Sequence, residues 1–418
     1  MMSLMLLPRR PLPIAGLMAL GLASLATLMN PAGLTTRVAY AAPATPAPLL
    51  LDAERLAEVR TRLKRGGDET LAAALAALEK DAAKALAMKP VSVMDKTIAP
   101  PSGDKHDYMS QAPYWWPDPS KPDGRPYIRK DGERNPEIDR LSDHDNFGDL
   151  ANTVLTLGLA FHLTGREEYA AQAAKLTRVW FLDPATRMNP HLKFGQGIPG
   201  ITEGRGIGII ETRGLPQLLD GITLIGGSPA WTAKDQQGLT EWMRAYLTWL
   251  TDSTHGQEEA KNGNNHETWY DVQVASLALF TGQPEIARRT LERSRDRIGT
   301  QFEPDGRQPR ELERTRAWDY SIFNLVAFFD LARLGSLVGV DLWGYKTADG
   351  RGLRQAFDYL VPVAAGDRKW TYEQITSFSP KPLVPLLRRA AVAWQEPKYA
   401  ALAKRIGSDN ARLELLMP

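Results

Sequence analysis

The chain has no cysteine. That excludes disulfides, a thiolate nucleophile and cysteine-held metal, and it is compatible with any redox compartment. Histidine is scarce as well, six in 418 residues, and His266 has no partner histidine at helical spacing, so the sequence supports no metal site. No run of alternating Asp and Asn marks a calcium loop. A nucleophile elbow and a Ser-His-Asp order are both absent. Charge of one sign is not in excess either, with 51 basic against 49 acidic residues. A nucleic-acid partner is therefore not expected, and neither is a cofactor.

Long apolar runs are confined to the N-terminus. Arg9 and Arg10 precede an apolar stretch from Ile14 to about Met29, and Ala39-Tyr40-Ala41 offers a small-x-small cleavage site. Residues 1–41 thus read as a signal peptide and 42–50 as a Pro/Ala linker, which places the mature protein in the periplasm or outside the cell. The only charged residues of that leader are Arg9, Arg10 and Arg37, so its removal leaves acids and bases nearly balanced. No later run is expected to span a bilayer.

What remains, 51–418, reads as one helical domain. Residues 52–64 and 69–88 are rich in Ala, Leu, Glu and Lys, and Leu71, Ala74, Leu75 and Leu78 form an i, i+3, i+4, i+7 stripe. Helices follow at 146–163, ending at Gly165, at 167–181, and at 232–250, where Trp242, Tyr246 and Trp249 face the core. A two-helix phrase recurs. LTGREEYAAQAAKLTR at 163–178 parallels FTGQPEIARRTLERSR at 280–295, with a weaker echo, AWQEPKYAALAKRI, at 393–406. Repeated antiparallel helix pairs are the implication; the one strand candidate is 206–210.

Two loops interrupt the helices. Residues 89–141 hold APYWWPDPSKPDGRPYI, whose Tyr114, Trp115 and Trp116 argue against disorder. Their rings either stack on sugar or plug the end of the core. Residues 187–213, RMNPHLKFGQGIPGITEGRGIGIIETR, are dense in glycine. With no βαβ unit around them, Gly204, Gly206 and Gly208 are a weak phosphate-loop signal; the reading preferred is backbone approach to a ligand, with His191, Glu203 and Arg205 projecting into a cleft.

The chemistry concentrates at two helix heads. Residues 262–273, NGNNHETWYDVQ, place Asn264, Asn265, His266, Glu267 and Trp269 at the mouth of an apolar helix. One asparagine serves as N-cap, but a cap needs no second Asn and no His. Residues 310–325, RELERTRAWDYSIFNL, set Arg310, Arg314, Arg316, Asp319 and Tyr320 on another apolar helix. Asn265, His266, Arg314 and Tyr320 together suit removal of a proton beside a carboxylate. An amide and a cation, Asn265 and Arg314, steady the developing dianion. Tyr320 acts as base and acid if a cation lowers its pKa, or His266 is the base on the opposite face.

These segments, with YWWPDPSKPDG and PGITEGRGIGIIETR, resemble the alginate lyase superfamily of polysaccharide lyases, families 5 and 38, the loops being closer to 38. The resemblance implies an all-α, incomplete (α/α) toroid and metal-independent β-elimination on an anionic polyuronate. It implies Asn265 and His266 as carboxylate neutralisers, His266 also as a base, Arg314 as the cationic helper and Tyr320 as base and acid, with Arg310 and Arg316 as further candidates for the arginine. Tyr114, Trp115, Trp116, His191, Glu203, Arg205 and Trp269 are the expected substrate contacts. Mannuronate-containing alginate is the implied polymer, with glucuronan as the alternative. Two other classes compete: an α/α-toroid glycoside hydrolase, with its carboxylate pair drawn from Glu203, Glu211, Asp271 or Asp319, and a non-catalytic glycan-binding protein.

Overall fold

The computed structural model describes residues 47–417; the signal-peptide reading of 1–41 lies outside them. Helices appear where Ala, Leu and charged residues alternate with the helical period: α1 Ala53–Arg65, α2 Glu69–Leu86, α3 Asp143–Thr164, α4 Glu167–Phe181, α5 Leu215–Leu224, α6 Ala233–Asp252, α7 Thr254–Glu259, α8 Asn265–Phe280, α9 Pro284–Gln301, α10 Pro309–Leu312, α11 Ala317–Val338, α12 Leu353–Ala365, α13 Val384–Ala393, α14 Pro397–Ile406 and α15 Leu413–Leu416. The repeated phrase corresponds to the pairs α3–α4, α8–α9 and α13–α14. Each turns at a short break, and Gly165 closes α3 in the left-handed conformation at φ 76°. The pairs make the incomplete (α/α) toroid that the sequence implied.

The core runs continuously from Leu49 to Leu415. α8 and α11, the two helices with polar heads, are buried on nearly every side, as their uniformly apolar bodies require. α11 is in fact long and apolar enough to cross a membrane, which corrects the expectation that no such run follows the leader; here its apolar faces are taken up by the core. At the α3–α5 crossing the backbones touch. A Cβ on Gly158 would lie 2.4 Å from the Gly221 carbonyl oxygen, and one on Gly221 would lie 2.6 Å from that of Val154. Backbone on both sides leaves nothing that can yield. Gly158→Ala is therefore expected to cost about 1–3 kcal/mol, read as a lower urea midpoint at unchanged slope.

The two long loops are ordered against each other. β1 (Met109–Gln111) from the first pairs in parallel with β4 (Phe194–Gly197) from the second, while β2 (Trp115–Trp116) pairs antiparallel with β3 (Ile128–Arg129). The strand expected at 206–210 is instead a 3₁₀ helix, Gly206–Thr212. The glycines of this loop serve packing within the protein, in place of the ligand approach expected of them: a Cβ on Gly204 would meet the Lys193 carbonyl oxygen at 2.0 Å, and one on Gly208 would meet the Gly195 backbone at 2.6 Å.

Two buried carboxylates fasten the loops and the chain start. Lys96 and Asp143 form an ion pair at 2.9 Å with neither side chain exposed. Lys96 also donates to the carbonyls of Val93 and Lys105, and Asp143 accepts the Met109 N–H at 2.9 Å, which seats β1 on the head of α3. Burial pushes Lys96 down and Asp143 up to about 6, each opposed by the other. Asp220 on α5 accepts the N–H groups of Leu49, Leu50 and Leu51 at 2.5, 3.0 and 2.8 Å. Burial raises its carboxyl to about 7 against the pull of those three donors. The expected linker thus ends earlier than residue 50, because Leu49 is already core.

Candidate active site

α8 begins where Asn264 caps it, its side chain accepting the His266 N–H at 3.1 Å. The cap orients the first turn so that His266 and Trp269, three residues apart, lie along one face. On α11, Tyr320 and Phe323 are spaced in the same way. The lower members of these pairs meet, Trp269 and Phe323 having ring centroids 5.2 Å apart. The heads are also tied directly: Asn265 donates from its backbone N–H and its Nδ2 to Glu311 of α10, both at 2.7 Å, and Arg310 donates to the Asn262 carbonyl at 2.8 Å. The rings one turn below His266 and Tyr320 thus form an aromatic layer shared by two segments some fifty residues apart.

His266 is half-buried and its Nδ1 lies 2.8 Å from Glu259 Oε1, a carboxylate only 1% exposed at the end of α7. A carboxylate accepts, so Nδ1 carries the hydrogen and Nε2 presents its lone pair when the ring is neutral. Tyr320 donates its hydroxyl to that of Tyr114 at 2.9 Å. The Arg314 guanidinium carbon lies 3.7 Å from the Tyr320 ring centroid, which makes Arg314 the arginine on the tyrosine; Arg316 binds Asp319 and Arg310 the Asn262 carbonyl. The expectation that a cation lowers the Tyr320 pKa is not met. Burial pushes the phenol up, and Arg314 offsets this only in part.

Arg314 is itself held. It donates to Asp131 from Nε at 3.1 and 3.0 Å and from Nη2 at 2.7 Å, and the Thr315 N–H reaches the same carboxylate at 3.3 Å. Burial opposes ionisation of Asp131, but these hydrogen bonds and the Arg314 charge prevail and hold it at about 2. A depressed carboxyl contributes stability that is complete above its unfolded pKa near 4 and is lost as pH falls through 2. Between pH 5 and 2 the wild type is expected to lose about 2 kcal/mol more than Asp131→Asn, read from urea midpoints at the two pH values. From the other side, the Glu373 carbonyl accepts from Ala317 N at 3.0 Å and Gln374 Oε1 caps Trp318 N at 3.0 Å, so the loop after α12 also fastens the α11 head.

Two of the expected site residues are buried. Asn265 has no exposed surface; its Nδ2 donates to Glu311, and its Oδ1 has no hydrogen-bond partner among the described residues. Trp269 is 3% exposed and packs on Phe323. The others fall around the cleft loops. Tyr114 is brought onto Tyr320. Trp115 and Trp116 are half-buried in β2, with the Trp116 indole donating to the Glu133 carbonyl at 3.0 Å. His191 meets Asp107 at 3.0 Å, Arg205 donates to Gln196 Oε1 at 2.9 Å, and Glu203 is exposed.

Three of the four carboxylates a hydrolase could draw on are engaged in the protein, and the fourth, Glu203, is exposed. Asp271 is buried among Arg293, Ser294 and Arg297, and Asp319 binds Arg316. Glu211 accepts from the hydroxyls of Tyr108 and Ser110 at 2.7 and 2.5 Å. Residues the sequence reading passed over are Glu259, Glu311, Asp131 and Arg213. Glu311 and Arg213 stood inside motifs it had singled out, whereas nothing marked Asp131 or Glu259. Among the described residues no three His, Asp or Glu side chains gather as metal ligands would.

With this helical toroid and these two polar helix heads, the chain is a polysaccharide lyase by its family and its solved relatives. The chain belongs to the alginate lyase family, whose model matches residues 92–370. It is similar to an alginate lyase from Bacteroides ovatus at 41% identity and TM-score 0.85, over 89% of this chain and 99% of that one. The fold is also that of alginate lyase A1-III from Sphingomonas species A1, at 16% identity and TM-score 0.50, over 88% and 97% of the two chains. A variant of A1-III complexed with a tetrasaccharide matches at 15% identity and TM-score 0.51, over 90% and 98%. No curated protein sequence matches the chain.

Proposed function

We propose that this protein is an exported lyase that cleaves mannuronate-containing alginate by metal-independent β-elimination. The observation that carries the reading is the arrangement at the two helix heads: a phenol that keeps its proton, and an imidazole whose Nε2 is left open by Glu259. His266 Nε2 takes the proton from C5 of the uronate. The C5 electron pair becomes the C4–C5 double bond, the C4–oxygen bond breaks, and Tyr320 gives its proton to the departing oxygen. The resemblance offered Tyr320 for both proton transfers, with His266 as a further candidate for the base. The raised phenol pKa favours dividing them, since a proton held above neutral pH suits the acid and not the base. Tyr114 takes the hydrogen bond of Tyr320 before substrate arrives, and Trp115 and Trp116 offer faces to the sugar rings. Alginate as the polymer rests on the family and on the Bacteroides relative.

The test is absorbance at about 235 nm, where the unsaturated uronate absorbs, during incubation with polymannuronate, polyguluronate and glucuronan, with and without chelator. A rise on polymannuronate that persists in chelator is expected. A faster rise on glucuronan would move the substrate assignment, and new reducing ends without absorbance would replace the lyase with a hydrolase.

A further inference from the structure

We propose that Arg213 receives the carboxylate of the uronate being cleaved, an inference that deepens the lyase reading and rests on it. Removing a proton beside a carboxylate doubles the charge on that group, so a cation with open donors must face it. Of the arginines near the two helix heads, Arg314 is bound to Asp131, Arg316 to Asp319 and Arg205 to Gln196, while Arg310, which donates once to the Asn262 carbonyl, is exposed. Arg213 is the half-buried one with donors to spare. Arg213 makes a single long hydrogen bond, from Nη1 to the Ile210 carbonyl at 3.3 Å. Its Nε and Nη2 have no protein partner among the described residues, and neither is sealed from solvent.

Its place in the site is fixed from three sides. The 3₁₀ helix before it is bonded to the body of α8, Thr212 Oγ1 donating to Gln273 Oε1 at 2.7 Å and Gln273 Nε2 to the Ile209 carbonyl at 3.1 Å. Its guanidinium carbon lies 5.6 Å from the centroid of Phe323, the ring one turn below Tyr320. The titratable groups that face it are Glu211, Tyr108 and Tyr114, the last bonded to the Tyr320 phenol. Glu211 does not form an ion pair with it; that carboxylate takes the hydroxyls of Tyr108 and Ser110 and faces His144 at 3.7 Å. Burial lowers the Arg213 pKa, and an arginine still keeps its charge at neutral pH. A half-buried guanidinium with a free donor edge matches one ligand well, a carboxylate bound by two parallel hydrogen bonds.

Arg213→Met and Arg213→Lys separate this role from simple packing on Phe323 when kcat/KM is compared on polymannuronate and on its methyl ester. On the free acid, R213M is expected to lose about 100-fold; on the ester, which is neutral before deprotonation and carries one charge in place of two after it, the loss stays under about 10-fold. Equal losses on the two polymers, or an unchanged rate on the acid, overturn the assignment. If R213M does not melt cooperatively, R213K carries the test. It keeps the stem and the charge without the planar fork, and an acid-specific loss of about 10-fold is expected, with equal losses again overturning the assignment. If the wild type eliminates neither polymer, the lyase reading fails separately, and calorimetric binding of mannuronate tetrasaccharide reads Arg213 alone. There a weakening of about 30-fold in R213M supports the contact and an unchanged Kd removes it.

Discussion

Replacing Tyr320 with phenylalanine is expected to lower kcat on polymannuronate by about 10³–10⁴-fold while KM and the melting temperature change little. The substitution removes one oxygen. The ring stays under Arg314, and the only hydrogen bond lost is that to Tyr114. A second substrate tells which proton Tyr320 moves. A mannuronoside with fluorine at C4 expels fluoride, which needs no proton donor. If Tyr320 is the acid, Y320F recovers most of its rate on the fluoride, whereas His266→Ala does not. If Y320F stays inactive on the fluoride and H266A retains activity, the phenol performs both transfers, and the raised pKa of the free enzyme is reversed when substrate binds.

The second large effect is on stability. Lys96→Met is expected to cost about 3–5 kcal/mol, because it leaves Asp143 without its partner at a fully buried position, where the acid must either stay charged or take up a proton. In a chain of this size the melting temperature falls by roughly 4–6 °C. The double variant Lys96→Met with Asp143→Leu removes both charges and is expected to recover to within about 1–2 kcal/mol of the wild type. A double variant no better than the single one would show that the loss comes from the carbonyls of Val93 and Lys105 and from the Met109 N–H, not from the unpaired charge. Activity is expected to fall with stability in the single variant. Asp143 seats β1, and β1 carries Ser110, which with Tyr108 holds Glu211 beside the cleft.

The helices were legible because burial repeats with the helical period, and the two polar heads stood out against apolar bodies. α4 matches its expected span, and α3 differs by three residues at its start, where Asp143 enters the helix because Lys96 neutralises it. Less legible was which polar residue serves which partner. Asn265 and His266 are adjacent and looked equivalent, yet Glu311 holds the first in the interior and Glu259 turns the second toward the cleft. Those acids come from α10 and α7, and no local pattern joins them to α8. The glycines misled for a similar reason: Gly204 and Gly208 are needed for contacts with backbone about ten residues earlier in the chain, which composition alone does not distinguish from ligand approach. Arg213 closes the motif at 187–213, but what sets it apart, burial together with unused donors, depends on neighbours distant in the chain.

The carboxylate of Asp220 has a bearing on how the protein is matured and handled. It grips three consecutive peptide groups, those of Leu49, Leu50 and Leu51, just downstream of the proposed export cut. Any proteolytic trimming or recombinant start placed beyond Leu51 would leave that acid without its donors in a sealed site. An affinity tag joined ahead of residue 47 leaves the grip intact. Leu49, Leu50 and Leu51 are therefore the anchor by which the fold holds its first strip of backbone.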